Sequence, residues 1–303
     1  MGVSVRTRGW WGRWRAENQG LIDEWQRSFY RFRQSRLSIV GVVIITFLLI
    51  VAFTGRRWVP YPDDAGFTTH VEERLQGPSR DNLFGTDEYG RDVFTRTVWA
   101  TQTSLIAGAV IVLVGGLIGV ILGGIAGYFG GVANDVIMRI TDIMLTMPGI
   151  FLALAITAAL GPSILNAMVA LSITWWPGYC RLVQAQVLST REEDYVEAAR
   201  CIGANRPRII FNHILPNCLS AIMVKASMDF GFAVLSLAAL GFIGVGAQPP
   251  IPEWGAMISK GRGFLPYGWW YSTFPGLAMF LTVFGFNMLG DGLRDIFDPR
   301  ARR

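Results

Sequence analysis

Charge is what this sequence has least of. Only 16% of its 303 residues are Asp, Glu, Lys or Arg, where a soluble globular domain carries about a quarter. Histidine is nearly absent, with His70 and His213 alone, and the three cysteines (Cys180, Cys201, Cys218) stand far apart. No metal-ligand spacing can be built from them, so no metal site is expected, and an odd number of thiols argues against a disulfide framework. No G-x-x-x-x-G-K-[ST] occurs, so the chain has no phosphate-binding loop of its own. The glycine-rich "GGLIGVILGG" lacks the Lys and Ser/Thr of such a loop and sits inside an apolar run. H-E-x-x-H and G-x-S-x-G are absent too, and nothing suggests paired catalytic carboxylates or any other catalytic residue.

What is present in excess is apolar: 51% of residues are hydrophobic and 35 are glycine. A bilayer core needs about 20 apolar helical residues. Six runs meet that expectation: Leu37–Thr54, Thr103–Tyr128, Val136–Leu160, Ser163–Leu188, Leu219–Val245 and Ser272–Gly292. The expected fold is an all-α integral membrane protein of six transmembrane helices. The first run begins too late and is too long for a cleavable signal peptide, so it is expected to stay as an anchor.

Arginine placement orients the chain. Residues 1–36 hold eight arginines against three acidic residues, and further positive charge lies in 189–218 and in the final "RDIFDPRARR". The positive-inside rule then puts both termini in the cytoplasm (N-in, C-in). Four parts follow: a Trp/Arg-rich cytoplasmic tail (1–36), a first span with a long periplasmic loop (37–101), a five-helix core (102–295) containing the cytoplasmic loop 189–218, and a basic tail (296–303). Trp10, Trp11, Trp14 and Trp25 suggest an interfacial helix. Trp58, Tyr61 and "PYGWWY" (266–271) suit the outer headgroup zone, as does Trp254 as an anchor. Dense glycines near the second and fifth runs imply close helix contacts, within this chain or against another.

The loop 189–218 carries helix punctuation. Thr190 and Glu193 fit a capping box, with a helix from about Arg191. Tyr195, Ala198/Ala199 and Ile202 recur at helical spacing as one apolar stripe. Gly203 suits a left-handed cap and Asn205 an N-cap, with Pro207 in the first turn of a second helix that runs to Pro216. Among ionisable residues in the runs, Arg139 can pair with Asp142 and Lys225 with Asp229. Asp142 and Asp229 either line a translocation path or are paired structural groups, the second being the plainer reading. Arg181 is expected to snorkel. In "FGTDEYGRD" (84–92) a local Asp–Arg turn or a docking surface is expected over recognition of substrate termini.

"EAARCIGANRPRIIFNHILP" resembles the EAA loop of ABC-importer permeases: E-A-A, three residues, G, nine residues, I-x-L-P. Glu197, Ala198, Ala199, Gly203, Leu215 and Pro216 match, while His213 stands where the pattern has isoleucine. "LFGTDEYGRDVFTR", "GAQPPIPEWGAMI" and "FNMLGDGLRDIFDP" resemble the dipeptide, oligopeptide and nickel subfamily, and within it the second permease subunit. The resemblance implies a type I ABC-importer permease fold and the bacterial inner membrane. It also implies that those six residues form a coupling helix seated on an ATPase. The implied partners are a second homologous permease, two ATP-binding subunits that hold ATP and Mg, an extracytoplasmic substrate-binding protein and membrane lipid, with no nucleic acid. No cofactor is expected in the chain itself. Peptide import is the expected function, with nickel or glutathione as alternative cargo, and an ATP-independent transporter or a membrane enzyme as poorer alternatives.

Overall fold

The computed structural model describes residues 35–297; the Trp/Arg-rich tail and the last six residues, with the interfacial helix expected at Trp10–Trp25, lie outside them. Every regular element among the described residues is helical. The chain forms α1 (Arg36–Thr54), α2 (Val93–Phe129), α3 (Gly131–Thr146), α4 (Gly149–Leu160) and α5 (Ile164–Thr190). There follow α6 (Asp194–Cys201), α7 (Arg206–Ile209), α8 (Leu215–Ile243), α9 (Trp254–Gly261) and α10 (Trp270–Phe297).

Four stretches are long and apolar enough to cross a bilayer: Arg36–Arg57, Val93–Phe129, Arg206–Ile243 and Trp270–Ile296. A fifth is reached if α3 and α4 count as one span, although they meet at 89°. The straight third helix expected over Val136–Leu160 is therefore broken. Pro148 explains the break: its ring pushes Met147 into extended backbone (φ −90°, ψ 131°) and it has no N–H to continue the ladder. The fourth expected run is α5, 27 residues long, but Trp175, Trp176, Pro177, Tyr179, Arg181 and two glutamines make it less apolar than the others.

The core is the pairing of α2 with α5, which run parallel. Gly115, Gly119, Gly123 and Gly127 form a row on α2, and α5 lies directly on it. A methyl on Gly119 would stand 2.5 Å from the Trp176 carbonyl, and one on Gly127 2.7 Å from Val187 Cβ. The absent side chains let the two backbones touch, and dispersion across that seam replaces a hydrophobic drive that lipid does not supply. Those α2 glycines thus serve contacts within the chain. α1 crosses α10 the same way, where a methyl on Gly41 would lie 2.9 Å from the Gly285 carbonyl.

These contacts fix which element ends coincide. Gly55, just after α1, abuts Val98 at the start of α2, and Trp270 at the start of α10 donates to the Thr86 carbonyl (3.1 Å). Residues 55–92, α9 and the start of α10 therefore share one end. At the other end Arg191 reaches the last carbonyls of α2, donating from Nη1 to Gly127 O (3.1 Å). The beginning of α1 and the end of α10 lie at that second end, together with α6 and α7.

Candidate functional site: a capped polar segment at one end and paired charges along the helices

The polar segment 191–217 opens as a continuation of α5. Because α5 runs through Thr190, the expected capping box does not form: Glu193 occupies the N-cap without a side-chain bond, and the helix begins at Asp194. Asp194 and Glu197 instead supply negative charge to its first turn. The helix ends as expected. Gly203 adopts φ +80°, its N–H bonds Arg200 O (3.0 Å) and the Ala204 N–H bonds Ala199 O (3.1 Å), the paired bonds of a Schellman close. Asn205 caps the next turn, accepting from the Arg208 N–H at 3.0 Å.

Pro216 does not stop the second helix. Ile210–Ile214 form one π turn, which leads into α8 with Pro216 in its first turn. The wider turn, closed by Leu215 N–H on the Ile210 carbonyl, carries the ladder past the missing N–H. Helix therefore runs from Arg206 to Ile243, joining the loop directly to a membrane span.

The predicted apolar stripe divides. Val196 and Ala199 turn inward and pack with Val183, Val187, Ile209, Ile214 and Cys218. Glu197, Ala198 and Gly203 are exposed, and nothing lies within 4 Å of where a Gly203 side chain would begin. Ala199 thus belongs to the core, not to a small outward face shared with Ala198. Ile202 is 86% exposed and Phe211 67%, so large apolar groups flank the small ones. Leu215 is half-buried and Pro216 exposed. At the position where the resembled pattern has isoleucine, His213 is half-buried, and the neighbouring Ile214 fills the core at 0% exposure.

Sequence reading passed over the residues that fasten this segment. Asn217 Nδ2 donates to Tyr195 Oη (2.7 Å) and to His213 O (2.8 Å), tying α6 to the start of α8. Partial burial, with Glu193 behind it, pushes the Tyr195 phenol up from its usual range. Two partners 22 residues apart leave no periodic signal.

Of the ionisable residues expected in the spans, Asp142, Arg181, Lys225 and Asp229 are paired, but not all as read from spacing. Asp142 bonds Arg181 of α5 rather than Arg139. Lys225 Nζ lies 3.0 Å from Asp229 Oδ2, as the i, i+4 spacing implies. Asp229 stands midway along α8, fourteen residues from Leu215 and fourteen from Ile243. Lys225 also lies 4.9 Å from the Tyr179 ring centroid, a cation–π contact in a region of low polarity. The Asp142–Arg181 and Lys225–Asp229 pairs approach α5 from different helices, α3 and α8. Among the described residues no cluster of three or more His, Cys, Asp or Glu could hold a metal.

At the far end, "FGTDEYGRD" is a built turn, as its Asp–Arg content implied. Asp87 accepts from Arg91 Nε (2.8 Å) and from the backbone N–H of Tyr89 and Arg91 (2.8 and 3.0 Å). Asp92 caps α2 through the Thr95 N–H (2.7 Å), and burial pushes its carboxyl above the usual range despite that bond. Glu253 caps α9 through the N–H groups of Gly255 and Ala256, both 2.9 Å. It is fully buried against Gly241, and burial raises its pKa to about 7. Trp254 is no interfacial anchor: it is wholly buried and donates to Thr97 O at 3.3 Å. Of "PYGWWY", Trp269 is exposed while Trp270 and Tyr271 are core.

A bundle of apolar helices closed by glycine seams, several of them long enough to span a bilayer, defines an integral membrane protein. Comparison with known proteins specifies it. The family described as "Binding-protein-dependent transport system inner membrane component" matches residues 119–303, and the "N-terminal TM domain of oligopeptide transport permease C" matches 24–78. The chain is 45% identical to the dipeptide transport system permease protein of Alkalihalophilus pseudofirmus, over 93% of its length and 91% of the relative's. It is 45% identical to a probable D,D-dipeptide transport system permease protein of Escherichia coli, over 90% of each chain. To the glutathione transport system permease protein of Pectobacterium atrosepticum it is 41% identical, over 94% of each. A chain of the inward-facing MetNI methionine ABC transporter shares the fold (TM-score 0.52, 20% identity), covering 68% of this chain and 97% of that one. This protein belongs to the family of binding-protein-dependent transport system inner membrane components, as an integral membrane permease subunit and not an enzyme.

Proposed function

We propose that this chain is one membrane subunit of an ATP-driven importer of short peptides in a bacterial inner membrane. The observation that carries the substrate class is the 45% identity, across nearly the whole chain, to a dipeptide transport permease. Glutathione, itself a short peptide, is a second cargo favoured by the 41% identity to a glutathione permease.

In this reading α5 and the bent pair α3–α4 complete six crossings, both termini are cytoplasmic, and α6 and α7 face the cytoplasm. ATP and Mg are bound by two separate ATPase subunits, a second homologous permease completes the pathway, and a substrate-binding protein docks opposite α6. Glu197, Ala198 and Gly203 form the coupling surface, Leu215 and Pro216 transmit its movement to α8, and Ala199 holds α6 on the core. The exposure of Glu197, Ala198 and Gly203 supports this, since a partner can close on that backbone without displacing side chains. Asp142 and Asp229 border the path in this reading. Their pairing with Arg181 and Lys225 keeps the local charge near zero, which suits a zwitterionic cargo.

The test is ATP-dependent uptake of labelled alanyl-phenylalanine by vesicles holding this chain with its partner subunits and binding protein. Uptake that needs ATP is expected. Uptake without ATP, or none for any short peptide or glutathione, would overturn the reading.

A further inference from the structure

We infer that the C-terminal end of α1 binds the headgroup phosphate of an anionic phospholipid. Helix continues from α1 through a single 3-10 turn, Gly55–Arg57, and the whole apolar stretch ends at Arg57. Arg56 and Arg57 therefore close a membrane span, at the level where hydrocarbon gives way to headgroups. Both are exposed, and among the described residues neither forms an ion pair. The next basic residues toward α2 differ: Arg91 and Arg96 both reach the buried Asp87. Two adjacent cations beside hydrocarbon repel each other more than they would in open water, so an anion placed between them is favoured.

The cluster is held in place from two sides. The Arg56 guanidinium lies 4.1 Å from the Trp99 ring centroid. Stacking uses the face of that planar group and leaves its N–H edge for bidentate bonds to phosphate oxygens. Trp58 is fixed by its Nε1, which donates to Thr54 Oγ1 at 3.1 Å, and half of its surface stays exposed. Arginine donors and an indole suited to the headgroup zone thus stand together at the end of one span.

The outer face of α1 supplies the rest of a lipid site. Phe47, Ile50 and Phe53 are each more than half exposed, and their helical spacing puts them on one broad face leading to Arg57. Ten residues separate Phe47 from Arg57, about 15 Å at the helical rise and half of a ~30 Å hydrocarbon core. That is the depth of one leaflet, so an acyl chain can lie along the strip while its phosphate meets the arginines. The strip favours a lipid over a free phosphate. A zwitterionic headgroup would bring a third cation to the pair, whereas phosphatidylglycerol, whose headgroup is uncharged beyond its phosphate, answers it. Neither the direction of the chain across the bilayer nor the cargo enters this inference; it needs only that α1 spans.

Photolabelling tests it, because the basic segments elsewhere in the chain also attract anionic lipid and only a mapped adduct isolates this site. The full chain in its native complex is set in phosphatidylcholine nanodiscs with a trace of phosphatidylglycerol or phosphatidylcholine carrying a diazirine in one acyl chain. We expect the phosphatidylglycerol probe to label residues 47–58 about tenfold or more above the phosphatidylcholine probe, and unlabelled phosphatidylglycerol to compete that label away. Replacing both arginines (Arg56→Gln, Arg57→Gln) should bring the two probes level, with little change in thermal unfolding because neither side chain has an ion pair to lose. Equal labelling by the two probes in the unmodified chain would overturn the site, a comparison that stands even where the double variant does not fold. An undiminished excess in a folded double variant would overturn it too. So would loss of the label to glycerol phosphate, which marks a site for a soluble phosphate ester. No label from either probe would mean that another polypeptide covers this face of α1, and would equally overturn the proposal.

Discussion

Gly203 turns the chain where an L side chain is strained, and its surroundings are empty. Two effects of substitution can therefore be separated. Gly203→Asp should cost only about 1–2 kcal/mol of local backbone strain, since Asp visits the left-handed region more readily than most residues. Membrane insertion and thermal stability should be nearly normal. Coupled ATP hydrolysis should fall at least tenfold if a partner closes on this surface, so the ratio of coupling loss to stability loss is the informative quantity. Glu253 offers the opposite case, a buried residue read through pH. No charged side chain offsets its burial; the raised pKa comes from desolvation, opposed by two backbone N–H bonds. Between the ordinary value of 4.5 and about 7 the folded protein keeps a proton that the unfolded chain has released. Glu253's contribution is thus largest below pH 4.5 and is lost as pH rises to about 7, by up to about 3 kcal/mol. Thermal unfolding of the purified protein at pH 5 and pH 8 should show a smaller difference in Glu253→Gln than in the unmodified chain. An unchanged difference would refute this account of the residue.

Among elements, the seam between α2 and α5 has little tolerance. Gly119→Leu places four carbons where the Trp176 carbonyl and Tyr179 already lie, and an overpacked seam of this kind costs about 1–3 kcal/mol or more. Lower yield and a lower unfolding temperature are expected, with Gly124→Leu as the control, because a methyl on Gly124 would meet nothing within 4 Å. The fastening of α6 is gentler. Tyr195→Phe removes the hydroxyl that receives Asn217 while leaving the ring, and Asn217 keeps its bond to His213 O. Loss of about 1 kcal/mol is expected, seen as faster hydrogen exchange across 194–201 with little change in overall stability.

Locally determined features were legible without coordinates. Gly203 and Asn205 cap helices through their own backbone and side-chain chemistry, and Lys225 meets Asp229 because one helix spaces them. What depended on packing was not. Arg181 takes Asp142 from Arg139 because α5 brings it across from 39 residues away. Trp254 is internal because α9 folds against α2. Glu193 lacks its predicted partner because α5 runs two residues further than expected, through Thr190. Pro148 is different: a proline within an apolar run was a visible break signal, and it was read through. A cavity beside α9 joins residues 67–96 to residues 247–271, and no window of sequence contains both.

For the whole molecule, the contacts of α6 describe a single mechanical unit. Val196 and Ala199 pack it on α5, whose end Arg191 ties to α2, and the Tyr195–Asn217 bond ties it to the start of α8. If α6 is the coupling element proposed above, a partner that moves it should move α5 and α8 with it. Cross-linking α6 to α5 through a Val187→Cys and Val196→Cys pair should therefore leave ATP-driven uptake largely intact, whereas a flexible insertion after Ile209 should abolish uptake while ATP hydrolysis persists. Uptake that survives the insertion would show that α8 is not driven through this joint.

The π turn at Ile210–Ile214 sets the phase of everything on either side of it. It holds one residue more than an α-helical turn, so α7 and α8 are offset by about 100° relative to an uninterrupted helix. Deleting Asn212, an exposed residue of that turn, would let the segment close as ordinary α-helix and would rotate Ile209 off the core by that angle. A single residue of extra length thus sets the direction in which α7 projects from α8, and its removal would redirect α6 without altering any residue of α6.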